Sequence, residues 1–238
     1  FNGFSQQSYY NDVDLDLTGS ELKNALSTKI TQTHTKFLQY TPDVWIASKI
    51  TDANPNNTDE VILIYGWEAG NDQDDRNDRT RSNTLQDNGS NGSFVWNREH
   101  VYPQSLGTPD ITTSTVPGQD AHSLRPVDKT TNGSRGNKLF AEGSGNSGVS
   151  NNGWYPGDEW KGDVARMMMY MYVRYDDQCL PTNVGIGDSS LTQDDMIDLF
   201  LKWNVDDKVS DIEIARNEYH ENTSNSAAQG NRNPFIDN

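Results

Sequence analysis

Cysteine is almost absent from this sequence, since Cys179 is the single cysteine among 238 residues. One cysteine cannot form an intrachain disulfide, and it cannot build the paired-thiolate zinc sites of small metal-binding domains. Long apolar runs are also missing: no stretch approaches the roughly 18 residues that a membrane-spanning helix needs. The sequence therefore predicts a protein without disulfides and without a membrane as its partner.

Hydrophobic residues are scarce as well, at 32% of the chain with a mean hydropathy of −0.86. The chain nevertheless carries six Trp, ten Tyr and seven Phe, which is more aromatic content than a disordered acidic chain has. At this length a domain can bury a substantial core. We therefore expect a folded core inside a very hydrophilic shell.

Basic residues are outnumbered by acidic ones, 19 to 35, for a formal net charge of −16. The chain has only nine Lys but 25 Asn, and short polar side chains of this kind keep a surface hydrated in salty surroundings. The first residue is Phe1, with no charged, apolar leader, as in a mature secreted chain or an expression product. We expect a secreted or periplasmic, salt-tolerant protein.

The negative charge is unevenly distributed along the chain. Residues 1–93 have a net charge of −7 and residues 139–238 have −10, whereas residues 94–138 have +1. A polyanion is repelled by an acidic surface, but a few cations can still bind a phosphate locally. The central segment is thus the part of the chain that could approach nucleic acid.

Periodicity predicts an α+β protein in a single domain spanning residues 1–238. Residues 1–93 are expected to supply a helix from Ser20 to Leu38, capped by Thr18 and Glu21, then a buried strand over 60–65 and an acidic loop over 69–93. A short strand over 94–96 opens the central segment, 94–140, which carries the chemistry. Residues 141–238 are expected to hold a flexible loop to 153, three helices and a tail that docks on the body. The first of these helices starts near Asp158 and is largely buried, and the other two are capped by Thr192 and Ser210.

The central segment combines residue types that suit phosphodiester chemistry. Glu99 is followed by His100, a carboxylate beside an imidazole that can supply a hard metal ligand and a general base. Asn132 offers a second oxygen ligand, with Asn137 as the competing choice, and nearby Arg and Lys supply donors for a phosphate. Because neighbouring residues on a strand point to opposite faces, Glu99 and His100 can share a site only if the strand ends or bends there.

Three motifs carry a resemblance to a known family. They are Arg98-Glu99-His100-Val-Tyr-Pro103, Asp120-Ala-His122-Ser-Leu-Arg125-Pro126 and Asn132-Gly-Ser-Arg135-Gly-Asn137-Lys138-Leu-Phe140. Together with ordered matches as far as residue 237, they resemble the endonuclease I family of periplasmic and secreted nonspecific nucleases, in the ββα-metal (His-Me finger) group. The resemblance implies a ββα-metal core surrounded by several helices and long loops.

The resemblance also implies roles for individual residues. His100 would be the general base, and Glu99 and Asn132 would hold one divalent ion, Mg²⁺ or else Mn²⁺ or Ca²⁺. Arg135 would contact a phosphate oxygen at the catalytic centre. Further residues would bind substrate (Arg98, Arg125, Lys138 and Arg166) or support the site from behind (Asp120, His122 and Asn137).

The implied activity is sequence-nonspecific hydrolysis of DNA, and of RNA as well, leaving 5′-phosphate ends, by a protein expected to be a monomer. A noncatalytic nucleic-acid-binding or metal-binding module on the same fold is the alternative. A glycosidase is a third hypothesis, favoured only by abundant acids and aromatics. The aspartates of the acidic loop (Asp72, Asp74, Asp75 and Asp78) could also hold a structural Ca²⁺.

Overall fold

The computed structural model describes residues 8–89, 92 and 94–237, which form an α+β structure of short antiparallel sheets and longer helices. The helices are α1 (Gly19–Thr33), α2 (Asp43–Thr51), α3 (Val116–Gln119), α4 (Lys129–Arg135), α5 (Lys161–Tyr175), α6 (Asp198–Asp206), α7 (Asp211–Glu221) and α8 (Pro234–Asp237). The strands are β1 (Ala53–Asn54), β2 (Asn57–Ile62), β3 (Thr80–Ser82), β4 (Trp96–His100), β5 (Leu124–Asp128), β6 (Gly148–Ser150) and β7 (Gly153–Tyr155). None of the helices in these residues is long and apolar enough to cross a bilayer.

The strands pair as three small sheets, β1-β2-β3, β4-β5 and β6-β7. The apolar run over 60–65 is buried from Val61 onward, as its composition predicts, but the regular strand β2 ends at Ile62. The predicted loop over 69–93 contains β3, which pairs with β2, although residues 90, 91 and 93 lie outside the described residues. The segment over 141–153 likewise contributes β6, so neither loop is wholly irregular.

Strands β4 and β5 and helix α4 form one continuous structure. The strand predicted over 94–96 begins at Trp96 and continues to His100, pairing with β5 in a register that sets Trp96 opposite Asp128 and His100 opposite Leu124. Helix α4 follows β5 directly, and its N-cap is Asp128, whose carboxylate accepts a 2.7 Å hydrogen bond from the Thr131 amide. Helix α4 ends at Gly136, whose φ of +55° favours glycine. These elements place β4 and α4 side by side.

Helix α5 forms the centre of the main core. Its residues from Gly162 to Val173 are all buried, as expected of a helix that is apolar on most sides. It packs against α1, α6 and α8. The tail that precedes α8 is also buried, so the predicted docking of the C-terminal segment is confirmed.

Two predicted helix boundaries and two predicted caps differ from the structure. Helix α1 ends at Thr33 rather than Leu38, and Thr18 makes no side-chain capping bond, so the first capping box is wrong. Helix α6 starts only at Asp198. The Asp198 carboxylate accepts hydrogen bonds from the amides of Ser190 and Leu191, and so holds the segment that precedes the helix. Thr192 therefore caps no helix. The prediction for α7 is confirmed, with Ser210 and Glu213 forming a complete capping box.

Candidate active site

Helix α4 lies against one face of β4, and two pairs of side chains meet there. Asn132 donates a 2.7 Å hydrogen bond through Nδ2 to Oδ1 of Asn97. Arg135 approaches Glu99, with 3.3 Å between Nε and Oε1. Residues two apart on a strand and three apart on a helix share a face, so these two contacts place the predicted ligands Glu99 and Asn132 at one interface.

The Glu99 carboxylate is buried, with 2% of the residue exposed. Its Oε1 accepts a 3.1 Å hydrogen bond from the Tyr65 hydroxyl, while Oε2 accepts none from the part of the chain that the structure describes. Burial raises the pKa of Glu99 to about 7, against the lowering effects of the Arg135 charge and the Tyr65 hydrogen bond. A carboxylate that is costly to ionise and has one oxygen unsatisfied is suited to a cation.

The Asn132 amide is oriented by its contact with Asn97, because Nδ2 is the donor there and Oδ1 is left to accept. Carboxylate and amide oxygens are hard ligands of the kind that Mg²⁺ and Ca²⁺ prefer. Within residues 8–89, 92 and 94–237, no three His, Cys, Asp or Glu side chains converge as a metal site would require. An ion at Glu99 would therefore depend on the Asn132 amide and on water, and the residues present fit such a site.

His100 occupies the last position of β4, where the sequence requires the strand to end if Glu99 and His100 are to share a site. Its Nε2 lies 3.0 Å from the carbonyl oxygen of Gly118. A carbonyl can only accept, so Nε2 carries the proton and Nδ1 presents its lone pair. Burial lowers the pKa of His100 to about 4, so the ring is neutral near pH 7.

The surroundings of His100 hold its ring in place. Tyr40 stacks on the imidazole at 5.3 Å between ring centroids, with 19° between the planes. Gly118 approaches Thr112 so closely that a Cβ there would lie 1.9 Å from the Thr112 carbonyl oxygen, which only glycine allows. The Arg98 guanidinium lies over the Tyr40 ring at 3.5 Å and donates to the Tyr40 carbonyl. This part of the site thus holds a neutral imidazole in a fixed orientation.

Comparison with known proteins identifies the family. The model of the family Endonuclease I matches residues 18–238, which is nearly the whole chain. The chain belongs to the Endonuclease I family. The match begins before α1, so it extends well beyond the motifs between residues 96 and 237 that carry the resemblance in the sequence.

Two curated relatives of this Endonuclease I family member are extracellular ribonucleases. That of Bacillus subtilis (strain 168) is 39% identical over 242 residues, covering 97% of this chain and 75% of the relative. That of Bacillus amyloliquefaciens is 38% identical over 243 residues with the same coverage. Family and relatives together make this chain a nuclease.

Three arginines of this Endonuclease I chain that the sequence assigns to substrate are buried instead. Arg125 is 1% exposed and pairs with Asp52 at 2.6 Å and Asp163 at 2.8 Å. Arg166 is fully buried, and its guanidinium makes two hydrogen bonds, of 2.6 and 2.7 Å, to the Glu213 carboxylate. No phosphate can reach either side chain, so we assign both a structural role.

Arg135 is also fully buried, and it donates to the carbonyls of Val101 at 2.9 Å and Gly136 at 2.8 Å. Its guanidinium therefore holds Glu99 and the end of α4, and direct contact with a substrate phosphate is excluded in this conformation. Among the predicted substrate cations, Arg98 and Lys138 keep partial exposure. Lys138 donates to the Ser134 carbonyl at 2.5 Å, at the end of α4.

Asp120 and His122 lie in the interior, beneath the site. Asp120 accepts hydrogen bonds of 2.7 Å from the hydroxyls of both Tyr170 and Tyr175. Burial alone would raise the pKa of Asp120. The facing His34 and His122 rings, together with the hydrogen bonds that the Asp120 carboxylate accepts, instead hold that pKa well below its ordinary value. His122 lies 3.1 Å from the Asn231 carbonyl, which joins β5 to the docked tail. Both side chains are buried and bonded within the fold, so a supporting role for them stays a prediction.

The competing ligand Asn137 is exposed and lies beyond the end of α4, where its amide donates to Ser105 at 3.4 Å. Asn137 makes no hydrogen bond to β4 in the described residues, whereas Asn132 bonds to Asn97 of β4, which favours Asn132. In the acidic loop, Asp74 pairs with Arg76 at 2.6 Å, and Asp78 lies 3.5 Å from Arg81. Arginines thus neutralise aspartates that the sequence proposes as ligands of a structural Ca²⁺.

Sequence reasoning missed Tyr65 and Gly118. Tyr65 is fully buried and has a φ of +73°, an unusual backbone conformation for an aromatic residue. Its position at the end of an apolar run predicted burial but not its bond to Glu99. Gly118 acts through its backbone carbonyl, and no side-chain pattern can reveal such a role.

Proposed function

We propose that this chain is a metal-dependent, sequence-nonspecific endonuclease that hydrolyses phosphodiester bonds in DNA and RNA outside the cell. The arrangement of His100 carries the proposal: a neutral imidazole, fixed through Nε2, follows directly after the buried Glu99 on the strand that packs against α4, the helix of Asn132. The extracellular ribonucleases among its relatives support RNA as a substrate and an extracellular location. The order β4, β5, α4 is the one expected of a ββα-metal unit.

In this proposal, His100 Nδ1 accepts a proton from a water molecule as the water oxygen attacks phosphorus. The Nε2–H bond to Gly118 keeps the ring oriented and stabilises the imidazolium that forms. The bond between phosphorus and the 3′ oxygen breaks, and the 3′ oxygen is protonated as it leaves. The products therefore carry a 5′-phosphate and a 3′-hydroxyl. The lowered pKa of His100 keeps the base in its reactive, unprotonated form at neutral pH.

Glu99 and Asn132 would hold the divalent ion, Mg²⁺ or else Mn²⁺ or Ca²⁺. When bound, such an ion stabilises the charge that develops on the phosphate and on the leaving 3′ oxygen. Arg135 and Tyr65 orient the Glu99 carboxylate, and Asn97 orients the Asn132 amide. Arg98 and Lys138 are the partly exposed cations that remain for phosphate contacts.

A nicking assay tests the proposal. Supercoiled plasmid and a labelled RNA are incubated with the protein in Mg²⁺ and, in parallel, in excess EDTA. We expect both substrates to be cut in Mg²⁺ and neither in EDTA, with products that carry 5′-phosphates. Binding without cleavage under every metal tested would instead support a noncatalytic module.

A further inference from the structure

A cavity of about 190 Å³ opens beside α4, next to the candidate site. Its walls are formed by aromatic and polar side chains, namely Trp67, Asp74, Arg76, Asn77, Thr131, Ser134, Ser147 and Trp154. A second cavity of about 280 Å³ shares Trp67 and Ser147 with the first. The two cavities therefore adjoin at Trp67 and Ser147, and we refer to them together as the groove.

The groove is fixed to α4 by the chain itself. Thr131 donates a 2.8 Å hydrogen bond to the carbonyl of Arg76, and the Trp67 amide donates to the carbonyl of Asn77 at 2.9 Å. Thr131 immediately precedes the proposed ligand Asn132, and successive residues of a helix point about 100° apart around its axis. The groove and the proposed ligand Asn132 therefore lie on neighbouring sides of the same helix.

Two buried polar atoms of the cavity walls have no hydrogen-bond partner among the residues that the structure describes. One is a donor, Nε1 of Trp154, in a residue that is only 4% exposed. The other is an acceptor, Oδ1 of Asn77, whose Nδ2 donates to Asp72 at 3.3 Å and so leaves Oδ1 to accept. An unmade bond at a buried polar atom costs free energy, and a ligand that supplies an acceptor and a donor would remove that cost.

Trp67 supplies the third element, because 39% of this large indole is exposed at the groove. Trp154 packs against Tyr65 in an edge-to-face contact, with 5.5 Å between ring centroids. Acidic side chains also line the two cavities, namely Asp74, Asp158 and Glu159. Asp74 is paired with Arg76 and Glu159 with Arg79, which reduces the repulsion of a polyanion by these two carboxylates. An exposed indole with a fixed donor and acceptor nearby suits a planar heterocycle whose edge carries both kinds of group.

We propose that this groove is a nucleobase subsite that takes one unpaired base next to the scissile phosphate, with Trp67 stacking on the base and Trp154 and Asn77 hydrogen-bonding to its edge. The inference rests on the proposed function. Stacking accepts any base, in keeping with cleavage without sequence preference. Bases inside a duplex are stacked and paired, so the subsite favours single-stranded nucleic acid over duplex.

Binding of a fluorescein-labelled single-stranded DNA oligonucleotide, followed by anisotropy in EDTA, tests the subsite without cleavage. Trp67→Ala should weaken binding about tenfold, the scale of one stacked base, and leave duplex binding unchanged. Trp67→Phe should retain most of the affinity. Trp154→Phe, which removes the N–H together with part of the buried indole, should lose several-fold in a variant shown to be folded. Leu191→Ala is the matched control, since Leu191 is 72% exposed and borders neither cavity.

A strand in which every nucleotide is abasic provides a second measurement. It should bind the wild type more weakly than the normal strand does, and Trp67→Ala should add no further loss on it. Equal losses on single strand and duplex, or no loss in a folded Trp67→Ala variant, would overturn the subsite. If the wild type cuts nothing in Mg²⁺ but binds through Trp67, the proposed function fails while the subsite stands.

Discussion

Tyr65 donates a 3.1 Å hydrogen bond to Glu99, although 34 residues separate the two in the chain. The bond joins the end of the β2 segment to the end of β4 and reaches the same oxygen that Arg135 approaches. The second oxygen of Glu99, Oε2, takes no part in this hydrogen bond. The hydroxyl is therefore positioned to orient the proposed metal ligand.

Replacing Tyr65 by Phe should weaken the binding of Mg²⁺ while keeping the fold. Residues that orient a metal ligand typically contribute 10–100-fold to affinity or activity, so we expect the Mg²⁺ concentration for half-maximal cleavage to rise by about tenfold or more. Calorimetric titration with Mg²⁺ should show the same shift. Tyr155→Phe, which removes a hydroxyl bonded to Asp158, is the matched control and should leave Mg²⁺ affinity unchanged.

The substitution His100→Ala should abolish most of the activity and little of the stability. Loss of a general base lowers turnover by a factor on the order of 10² to 10⁴. The side chain is only partly buried and lies at the end of a strand, so the melting temperature should change little. Near-normal plasmid nicking by the folded variant would show that another residue activates the water.

Asp52 should be among the most costly polar residues to replace. It is fully buried between Arg125, at 2.6 Å, and Arg216, with which it forms a hydrogen bond. Asp52→Asn removes the carboxylate that Arg216 pairs with and leaves Arg125 with Asp163 alone, and breaking a buried pair costs about 3–5 kcal/mol.

Urea denaturation of Asp52→Asn measures that loss directly. Lys202→Gln serves as the control, because Lys202 pairs with Glu142 at 2.6 Å but is 56% exposed, and exposed pairs contribute about 0–1 kcal/mol. Equal losses in the two variants would refute the structural role given to Arg125.

A cluster of three buried histidines, His34, His122 and His220, should make the fold sensitive to acid. Burial lowers the pKa of His122 to about 4 and that of His220 well below its ordinary value; the facing charges are Asp120 and Arg216. Between about pH 6.5 and 4 the unfolded imidazoles bind protons that the folded ones do not, so each destabilises the fold as the pH falls.

His220→Phe isolates this effect, because neither ring nitrogen of His220 has a hydrogen-bond partner in the described part of the chain. Relative to wild type, the variant should gain about 1.4 kcal/mol of stability for each pH unit below 6.5. The quantity to compare is the difference in unfolding free energy between the variant and the wild type. The raised pKa values of Glu99 and Asp163 stabilise the fold as the pH falls, and this opposite effect is present in both proteins. Parallel unfolding curves from pH 7.5 to 5 measure it, and a pH-independent difference would contradict the prediction.

Activity should be highest at raised ionic strength, on the order of several tenths molar. The net charge of −16 repels nucleic acid over long distances, and the burial of Arg125 and Arg135 removes cations that the central segment would otherwise expose. Salt screens this repulsion more than it weakens close contacts. Initial rates on linear DNA across a NaCl series, at saturating Mg²⁺, measure the optimum. A steady decline from the lowest salt would mean that local phosphate contacts dominate.

Local pattern determined much of this protein from the sequence alone. The buried helix α5 follows from apolar residues on most of its faces, and the start of α7 from Ser210 and Glu213, because periodicity and capping involve residues a few positions apart. The motifs around Glu99, His100 and Asn132 identified the family for the same reason: each is contiguous in the chain. The candidate base and ligands could therefore be named before the fold was known.

Tertiary structure alone decided which charged groups lose contact with water. Arg125 is buried against Asp163, 38 residues away, and Arg166 against Glu213, 47 residues away. The chain around an arginine reads the same whether its partner is a distant carboxylate or a phosphate, because burial and ion pairing depend on residues that folding brings together. The contacts of Tyr65 with Glu99 and of the Gly118 carbonyl with His100 have the same origin, since each joins residues that only the packing of separate elements brings together.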